Sequence, residues 1–477
     1  MVPVQFTFFE KKFALLYKEI NQNSIYFFNF PFQAKSAWDT LSLFPLDFNV
    51  TFLYNRSQFF IPSLPMQHKV YGCKVNKFYL NKRIAHLEAT NQVNDNLFLV
   101  ATCVVTDRAK MKWVKEIIEQ AKLGKHILIA GCGSITKGKA TERSAFFAYY
   151  PELAPYQEQI TLLAEDPLEE ESELAFSFKM PNQKLRTKNY VIIQNGCDNH
   201  CSFCLTIFKR GAHRNRPLPE IIEEIKQIEA EGGKEIVLTG INLAAWGASN
   251  TRNAKESRFN ELLEAILEQT TIPRIRISSL DPQYLDDRFF ELMNNPRFCP
   301  HFHLSIQSFS DTVLKLMNRA YDSKKLDKVL KKLRNLNRSD AELVSIGADL
   351  ISGFPWETEA DFQITCKAVQ KYRITKLHAF PFSDHHKAER IPASSLPDQV
   401  PNEIRKSRNR KLIEIGDQVR DAFVAQNYGR KLQVLIEESK NGKTKGWTEN
   451  YLQISLPWSY EKGSIVEVTV NEKNCIF

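Results

Sequence analysis

Three cysteines lie close together in the run Gly196-Cys-Asp-Asn-His-Cys-Ser-Phe-Cys204. These residues, Cys197, Cys201 and Cys204, have C-x3-C-x2-C spacing and come just after an apolar stretch at residues 190–193. Three thiolates this near one another can hold three irons of a 4Fe-4S cluster, although similar spacings also occur in zinc sites. The fourth iron of such a cluster has no protein ligand, so it can bind and activate another molecule.

A second set of cysteines, Cys73, Cys103 and Cys132, is spread along the chain but occupies equivalent positions. Each follows directly on a predicted strand, in Tyr-Gly-Cys73, Ala-Thr-Cys103 and Ala-Gly-Cys132. Because the carboxyl ends of parallel strands share one edge of a sheet, the three thiols can converge there. One such cysteine alone is more often a small buried hydrophobe. All three together favour an iron–sulfur or zinc site that again leaves one position open.

The strands that position this second set belong to a regular pattern between residues 67 and 150. Short apolar runs predict strands, and longer amphipathic runs predict helices. The strands are predicted at 69–72, 97–102 and 126–131, and the helices at 76–88 and 107–122. This βαβαβ order predicts an α/β domain with a doubly wound parallel sheet.

The C-x3-C-x2-C set follows the first of six strand-like runs that alternate with helices across residues 186–397. Six βα units in a segment of this length favour an open, partial (β/α)6 barrel over a closed barrel of eight units. The six runs lie at 190–194, 235–239, 274–278, 301–306, 344–350 and 376–380.

Three further segments differ in composition from these two domains. Residues 151–185 include an acidic, Pro-containing stretch at 165–171, which predicts a linker. Residues 398–428 predict a basic helix. Residues 429–477 predict a small β-barrel, with alternating strands at 432–436, 451–456 and 465–470.

Residues 1–65 read unlike the rest of the chain. They hold 13 of the 33 phenylalanines and show neither helical nor strand periodicity, whereas the pattern becomes regular from Gln67. We favour the interpretation that Met66 is the true start and that the upstream stretch is an artefact of gene prediction. The alternative is a genuine extension or a short strand-rich module.

Composition and charge narrow the class of protein. A chain of 477 residues predicts roughly three domains. No run of about 18 apolar residues occurs, which predicts no membrane span. The net charge of +9 leans toward a polyanionic partner such as nucleic acid. The nine cysteines and the lack of a signal peptide at the start predict a reduced, cytoplasmic setting, where clustered cysteines are usually metal or redox groups.

The cysteine triplet after the first strand of a βα barrel resembles the radical S-adenosylmethionine superfamily, and Phe203 matches the aromatic residue usual there. A three-cysteine N-terminal domain, such a barrel and a terminal small β-barrel together resemble the methylthiotransferase family over roughly residues 67–477. Motifs that carry this resemblance include Gly72-Cys-Lys-Val-Asn76, Thr102-Cys-Val-Val-Thr106, Arg210-Gly211, Gln307-Ser308 and Gly353-Phe-Pro-Trp-Glu-Thr-Glu359.

The resemblance implies two 4Fe-4S clusters, one on each set of three cysteines, and S-adenosylmethionine bound at the open iron of the barrel cluster. It implies insertion of a methylthio group at an unactivated C–H bond, with an electron donor such as flavodoxin or ferredoxin and a sulfur donor that the sequence does not specify. Residues at or near the ends of the later barrel strands are then candidates for cofactor binding: Gly240, Asn242, Ser279, Gln307, Asp349 and Gly353.

The form of two motifs is most similar to the branch that modifies N6-threonylcarbamoyladenosine at position 37 of tRNA, next to the anticodon. These motifs are Gly-Cys-Lys-Val-Asn around Cys73 and Gly446-Trp-Thr-Glu-Asn-Tyr451 in the last domain. Sister branches modify isopentenyladenosine in tRNA or an aspartate of a ribosomal protein. A function of another class is a non-catalytic iron–sulfur or zinc RNA-binding protein.

Basic and aromatic residues suggest where a tRNA anticodon loop would bind. Positive charge suits phosphates, and aromatic rings suit unstacked bases, although a solvated basic surface would look similar. The terminal domain resembles the TRAM RNA-binding module. The candidate residues are Arg210, Arg214 and Arg216 after the cluster motif, and Arg430, Lys431, Lys445, Trp447 and Tyr451 in the last domain.

Two departures from the usual family motifs bear on the site. Ala101 stands where the family usually has Asn before Thr-Cys103, and Phe309 stands where it usually has Gly. Phe309 adds bulk at a predicted strand end, where glycine would allow close approach of a ligand.

Overall fold

The computed structural model describes residues 66–166, 187–385, 391–440 and 442–476. These residues belong to one compact unit, Pro62–Phe477. The interpretation of residues 1–65 therefore concerns a segment outside the described residues, and so does most of the predicted linker.

The N-terminal domain is built on a parallel sheet with the strand order β1-β2-β3-β6. Helix α1 packs on one face of this sheet, where Leu80 meets Leu99 and Leu128, and α2 packs on the other. Successive strand side chains point to opposite faces, so both faces need a helix to cover them. The predicted doubly wound parallel sheet is confirmed. The elements are β1 (His68–Val70), α1 (Lys74–Ala89), β2 (Leu97–Thr102), α2 (Asp107–Lys122), β3 (His126–Gly131), β4 (Ile135–Thr136), β5 (Lys139–Ala140), α3 (Arg143–Tyr149) and β6 (Ile160–Leu162).

The start of the predicted linker is part of this domain instead. Residues Pro151–Gln159 form a 3-10 helix, and β6 pairs with β3 through Ile127 and Ile160. Leu153 and Ile160 are buried against Ile127, so apolar burial outweighs the loop-like composition of this stretch. Residues 167–185 of the predicted linker lie outside the described residues.

The central domain is an open barrel of six parallel strands. Strands β7, β10 and β11 form one parallel sheet, and β12, β13 and β14 form another. Single bridges, Ile275 to Phe298 and Leu280 to Leu304, connect the two. The elements are β7 (Asn189–Ile192), β8 (Gln194–Asn195), α4 (Thr206–Arg210), β9 (Arg214–Asn215), α5 (Leu218–Ala230), β10 (Glu235–Thr239), α6 (Phe259–Gln269), β11 (Arg274–Ile277), α7 (Asp287–Leu292), β12 (His301–Gln307), α8 (Asp311–Leu316), α9 (Ser323–Arg334), β13 (Ser345–Ser352), α10 (Glu359–Lys371) and β14 (Lys376–Pro381).

Helix α1 joins the N-terminal domain to this barrel. Its residues Val75, Phe78 and Tyr79 pack on Ile192 at the end of β7. Among the described strands, β7 and β14 are not paired with each other, so the barrel is open between them. The contact with Ile192 brings the cysteine-bearing edge of the N-terminal sheet to the barrel.

A long helix leads to the terminal domain. Helix α11 (Asn402–Gln426) packs Phe423 and Val424 against an antiparallel sheet with the order β17-β16-β15-β18, as a small β-barrel requires. The strands are β15 (Lys431–Lys440), β16 (Lys443–Thr448), β17 (Gln453–Leu456) and β18 (Ile465–Thr469). None of the helices in the described ranges is long and apolar enough to cross a membrane.

Candidate active site between two cysteine triads

The N-terminal triad, Cys73, Cys103 and Cys132, is brought together by one amide. Asn76 donates hydrogen bonds to the carbonyl oxygens of Tyr71 at 3.0 Å and Thr102 at 2.6 Å, and its Oδ1 lies 4.0 Å from the Cys132 sulfur. Asn76 therefore ties the loop before α1 to the ends of β2 and β3.

Glycine is required directly before Cys73. A Cβ atom on Gly72 would lie 2.8 Å from the Cβ of Cys103 and 3.2 Å from its sulfur, and the backbone φ of Gly72 is +107°. Any larger residue would push the two cysteine loops apart. Burial raises the pKa of the Cys103 thiol to about 12, and the neighbouring Cys132 adds to this effect. Three thiols that repel one another as anions suit a bound cation or cluster, which would offset their charge.

The barrel triad, Cys197, Cys201 and Cys204, follows β7 and β8 in one tight loop. A Cβ atom on Gly196 would lie 1.8 Å from the carbonyl oxygen of Ala212, so only glycine lets the loop turn here. The backbone amide of Thr206 donates to the Cys204 sulfur at 3.3 Å, and the Thr251 hydroxyl lies 3.7 Å from the Cys197 sulfur. Burial raises the pKa of Cys197 to about 12.

Arg319 is a site residue that sequence reasoning missed. Its guanidinium donates to the Cys201 sulfur at 3.2 Å and to the Ser305 carbonyl oxygen at 3.0 Å, and it forms an ion pair with Asp281 at 2.9 Å. Burial raises the pKa of the Cys201 thiol, whereas the charge of Arg319 opposes this shift. Arg319 lies more than 100 residues after the cysteines, and no spacing in the sequence links it to them.

One cavity of about 600 Å³ connects the two triads. All three cysteines of the N-terminal triad line it, as does Cys204 of the barrel triad. We call it the shared cavity. Four predicted cofactor-binding residues also line it: Gly240, Ser279, Gln307 and Asp349. The arrangement can therefore hold two three-cysteine centres that face a common space.

The two remaining candidates for cofactor binding fall outside the cavity wall that the described residues form. A Cβ atom on Gly353 would lie 2.5 Å from the Arg405 side chain of α11, so its small size serves helix packing. The backbone amide of Asn242 donates to Gln194 Oε1 at 2.8 Å, and its side chain donates to the Tyr284 hydroxyl at 3.3 Å. Both residues brace the barrel rather than face the cavity.

Asp349 is held by two histidines inside the cavity. Its Oδ1 lies 2.9 Å from His303 Nε2 and 3.2 Å from His378 Nδ1. Burial alone would raise the pKa of Asp349, but the two histidines outweigh burial and hold this pKa below its usual range. Asp349 is therefore an anion whose charge is already shared with neighbours on β12 and β14.

The terminal domain closes part of the cavity with Tyr451. The Tyr451 ring stacks on His301 at 4.4 Å between centroids, and it lies 4.6 Å from Trp447. Tyr451 is one of the predicted RNA-binding residues, and it lines the shared cavity, as His301 does. Its stacking on a β12 side chain fixes the terminal domain against the barrel.

Arg210 and Arg216, which were also predicted to contact RNA, are buried in the structure. Arg210 forms an ion pair with Glu165 and donates to Asn76 Oδ1 at 2.5 Å, which places it behind the N-terminal triad. Arg216 pairs with Glu224 on α5. Glu165, 45 residues from Arg210, and Glu224, eight residues from Arg216, pair with these arginines inside the protein.

The remaining basic candidates stay nearer the surface. Arg214 is partly exposed and lies 3.5 Å from Glu165. Lys431 is exposed and pairs with Glu467 at 3.4 Å, and Lys445 is exposed on β16. Arg430 is half-buried and donates to the Ala341 carbonyl oxygen at 2.7 Å.

The two departures from the family motifs do not narrow the cavity. Phe309 stacks on Tyr372 at 5.7 Å, with its ring in the core between the barrel strands and their helices. Ala101 packs beside Leu80 in the core under α1.

Replacing Arg210 should destabilise the fold much more than replacing its neighbour Arg214. Arg210→Met removes the buried ion-pair partner of Glu165 and leaves this buried carboxylate with Arg214 alone as a cationic partner among the described residues. We therefore expect a loss of about 3 kcal/mol in the free energy of unfolding. Arg214→Met removes a partly exposed partner of the same carboxylate, so we expect a loss of less than about 1 kcal/mol. Urea denaturation of both variants measures the difference, and equal losses would contradict a structural role for Arg210.

Two family models match this chain. The model of the Radical SAM superfamily matches residues 191–369, and that of Uncharacterized protein family UPF0004 matches residues 66–148. Among solved structures, the radical S-adenosylmethionine methyltransferase TsrM from Kitasatospora setae matches with a TM-score of 0.43 and 14% identity, over 66% of this chain and 73% of that chain.

Curated relatives cover most of the chain. Threonylcarbamoyladenosine tRNA methylthiotransferase MtaB of Rickettsia prowazekii is 30% identical over 81% of this chain and 90% of its own length. The tRNA-2-methylthio-N(6)-dimethylallyladenosine synthase of Aquifex aeolicus is 30% identical over 80% of this chain and 89% of its own. The chain thus belongs to the radical S-adenosylmethionine methylthiotransferases, a family of transferases whose barrel works with a 4Fe-4S cluster and S-adenosylmethionine.

Proposed function

We propose that this chain is a tRNA methylthiotransferase that converts N6-threonylcarbamoyladenosine at position 37 to its 2-methylthio derivative. The observation that carries the proposal is that two three-cysteine sites open into one cavity. A relative named for the same substrate covers 81% of the chain, which supports the choice of substrate.

The barrel triad would hold the cluster that binds S-adenosylmethionine, and the N-terminal triad would hold a second 4Fe-4S cluster. Both sets fit such a group, because each offers three converging thiols and a glycine that lets their loops meet. When bound, these groups supply hydrogen abstraction at C2 of the adenine and delivery of the methylthio sulfur. We propose a flavodoxin or ferredoxin as the electron donor.

The residues of the chain itself would position the reaction and keep it dry. Arg319 holds the Cys201 sulfur, and Asn76 holds the loops of the N-terminal triad. Val104, Ile277 and Ile351 give the cavity apolar walls, which exclude water from a reactive intermediate. Gly240, Ser279 and Gln307 would contact the cofactor from the strand ends.

The exposed basic residues would contact the tRNA backbone. Arg214 is partly exposed, Lys431 and Lys445 are exposed, and Trp447 is half-buried on β16. Charge of this kind binds phosphates, and it makes the affinity depend on salt.

A second candidate substrate is isopentenyladenosine in tRNA, because a relative named for the dimethylallyl nucleoside covers the chain almost equally well. The two nucleosides differ in the group on N6: one is a neutral apolar chain, and the other carries a carboxylate.

Deleting the gene should remove 2-methylthio-N6-threonylcarbamoyladenosine from tRNA while its precursor accumulates. Mass spectrometry of nucleosides from digested tRNA measures both species. The wild-type gene should restore the product, and a Cys197→Ala gene should not. Unchanged product after deletion, in a host without a second such enzyme, would sink the proposal. Loss of the methylthio-isopentenyl nucleoside alone would assign the protein to the other branch.

A further inference from the structure

Positive charge gathers at one part of the shared cavity. Lys74 and Lys376 line the cavity beside Tyr451. The guanidinium carbon of Arg276 lies 5.1 Å from the centroid of the Tyr451 ring, and the Lys188 ammonium lies 5.7 Å from it. Among the described residues that line the cavity, Asp349 is the one carboxylate, and His303 and His378 already hold it.

The acidic residues near these cations are already engaged. Glu235 pairs with Arg274 at 2.9 Å and with Arg276 at 3.0 Å. Glu437 pairs with Lys188 at 2.9 Å. Glu235 and Glu437 therefore pair with cations behind the cavity wall, and neither forms an ion pair with Lys74.

Lys74 is a lysine of the cavity wall that forms no ion pair with a carboxylate among the described residues. It follows Cys73 directly, lines the cavity and is half-buried. Within residues 66–166, 187–385, 391–440 and 442–476, its ammonium makes neither a hydrogen bond nor an ion pair. An ammonium that lines a cavity without a carboxylate partner can pair with a carboxylate that arrives with a ligand.

We infer that Lys74 binds the carboxylate of the threonylcarbamoyl group and so selects this nucleoside over neutral N6-modified adenosines. The inference rests on the proposed function. The position of Lys74 beside Cys73 would anchor the modified base next to the N-terminal triad. An isopentenyl chain in the same place would leave the ammonium without a carboxylate partner, which disfavours that substrate.

The carboxylate of S-adenosylmethionine is the other anion that this cavity takes up, and binding measurements separate the two sources. If Lys74 served the cofactor, its replacement would weaken S-adenosylmethionine binding when RNA is absent. If Lys74 serves the nucleoside, cofactor binding without RNA stays unchanged.

A binding cycle tests the inference on the reconstituted holoenzyme. Two anticodon stem-loop RNAs are used, one with N6-threonylcarbamoyladenosine and one in which a carboxamide replaces its carboxylate. We expect the wild type to bind the carboxylate RNA about 100-fold more tightly than the carboxamide RNA, and Lys74→Gln to bind both alike. Lys74→Arg should keep most of the preference.

Lys77→Gln is the matched control, because Lys77 is exposed on the same helix and lies against Tyr190. It should keep the full preference, and all variants should keep the iron content of the wild type. The inference is overturned if Lys74→Gln keeps a preference for the carboxylate RNA within about 3-fold of the wild-type preference. It is also overturned if Lys74→Gln binds S-adenosylmethionine more weakly than the wild type when RNA is absent. If the wild type converts isopentenyladenosine RNA instead, the proposed function itself fails. If the wild type converts threonylcarbamoyladenosine RNA but Lys74→Gln keeps the preference for the carboxylate RNA, only the role of Lys74 fails.

Discussion

Cys197→Ala should abolish cleavage of S-adenosylmethionine, lowering the rate of 5′-deoxyadenosine formation by at least about 1,000-fold. The expected cause is the loss of one of the three thiolates that would hold the barrel cluster, whose open iron would bind the cofactor. The tight turn at Gly196 positions the Cys197 thiol, and the thiols of Cys201 and Cys204 cannot take its place. Chromatography of the nucleoside products under reducing, anaerobic conditions measures the loss.

Cys366→Ala is the matched control for this experiment. Cys366 is buried in the barrel core on α10 and contributes to neither triad. Its replacement removes a buried sulfur that belongs to neither triad, so cleavage should continue at close to the wild-type rate. Substantial 5′-deoxyadenosine formation by Cys197→Ala would show that the barrel triad does not hold the reactive cluster.

Cys103→Ala should separate the two halves of the reaction. We expect this variant to keep S-adenosylmethionine cleavage within about 10-fold of the wild type and to form no methylthio product, a loss of at least about 1,000-fold. The reason is spatial: Cys103 belongs to the N-terminal triad across the cavity, whereas the residues that hold the barrel triad, such as Arg319 and Thr251, remain in place. Mass spectrometry of the RNA and chromatography of the cleaved cofactor give the two readouts from one reaction.

Normal methylthiolation by Cys103→Ala would contradict a second cluster site. Loss of both activities would indicate that the variant is misfolded or that the two sites cannot be separated. Circular dichroism and the iron content distinguish these cases, because a folded variant with one intact site keeps about half of the wild-type iron.

Elements with strong apolar patterns could be located closely from the sequence. The predicted strands at 97–102, 126–131 and 235–239 coincide with β2, β3 and β10. These strands are buried and carry nearly continuous apolar runs, which is the pattern that parallel sheets impose. The convergence of Cys73, Cys103 and Cys132 on the cavity followed from the same reasoning, because the topology of the sheet places the strand ends at one edge.

Among the strands that escaped prediction, β6 and β16 have sequences that hide the apolar pattern. Strand β16 alternates exposed lysines, Lys443 and Lys445, with buried Thr444 and Gly446, so its inward side chains are small or polar. Strand β6 is short and follows a Pro-containing stretch that reads as a loop. Both strands are specified by pairing with neighbours in the sheet rather than by their own composition.

Charged residues were the least predictable part of the site. Arg210 and Arg216 stand in a basic run that reads as an RNA surface, yet Glu165 and Glu224 bury them. The role of Arg319 at Cys201 and the absence of an acidic partner for Lys74 in the described structure depend on which side chains meet in three dimensions. A single sequence carries no signal for such pairs when their members are far apart along the chain.

Iron and sulfide analysis of the anaerobically reconstituted protein tests the two-centre cavity most directly. We predict about eight iron and about eight sulfide per chain for the wild type, and about four of each for Cys197→Ala and for Cys103→Ala. Cys366→Ala should retain the wild-type values. About four iron in the wild type, or zinc in place of iron without sulfide, would contradict two 4Fe-4S clusters facing one cavity.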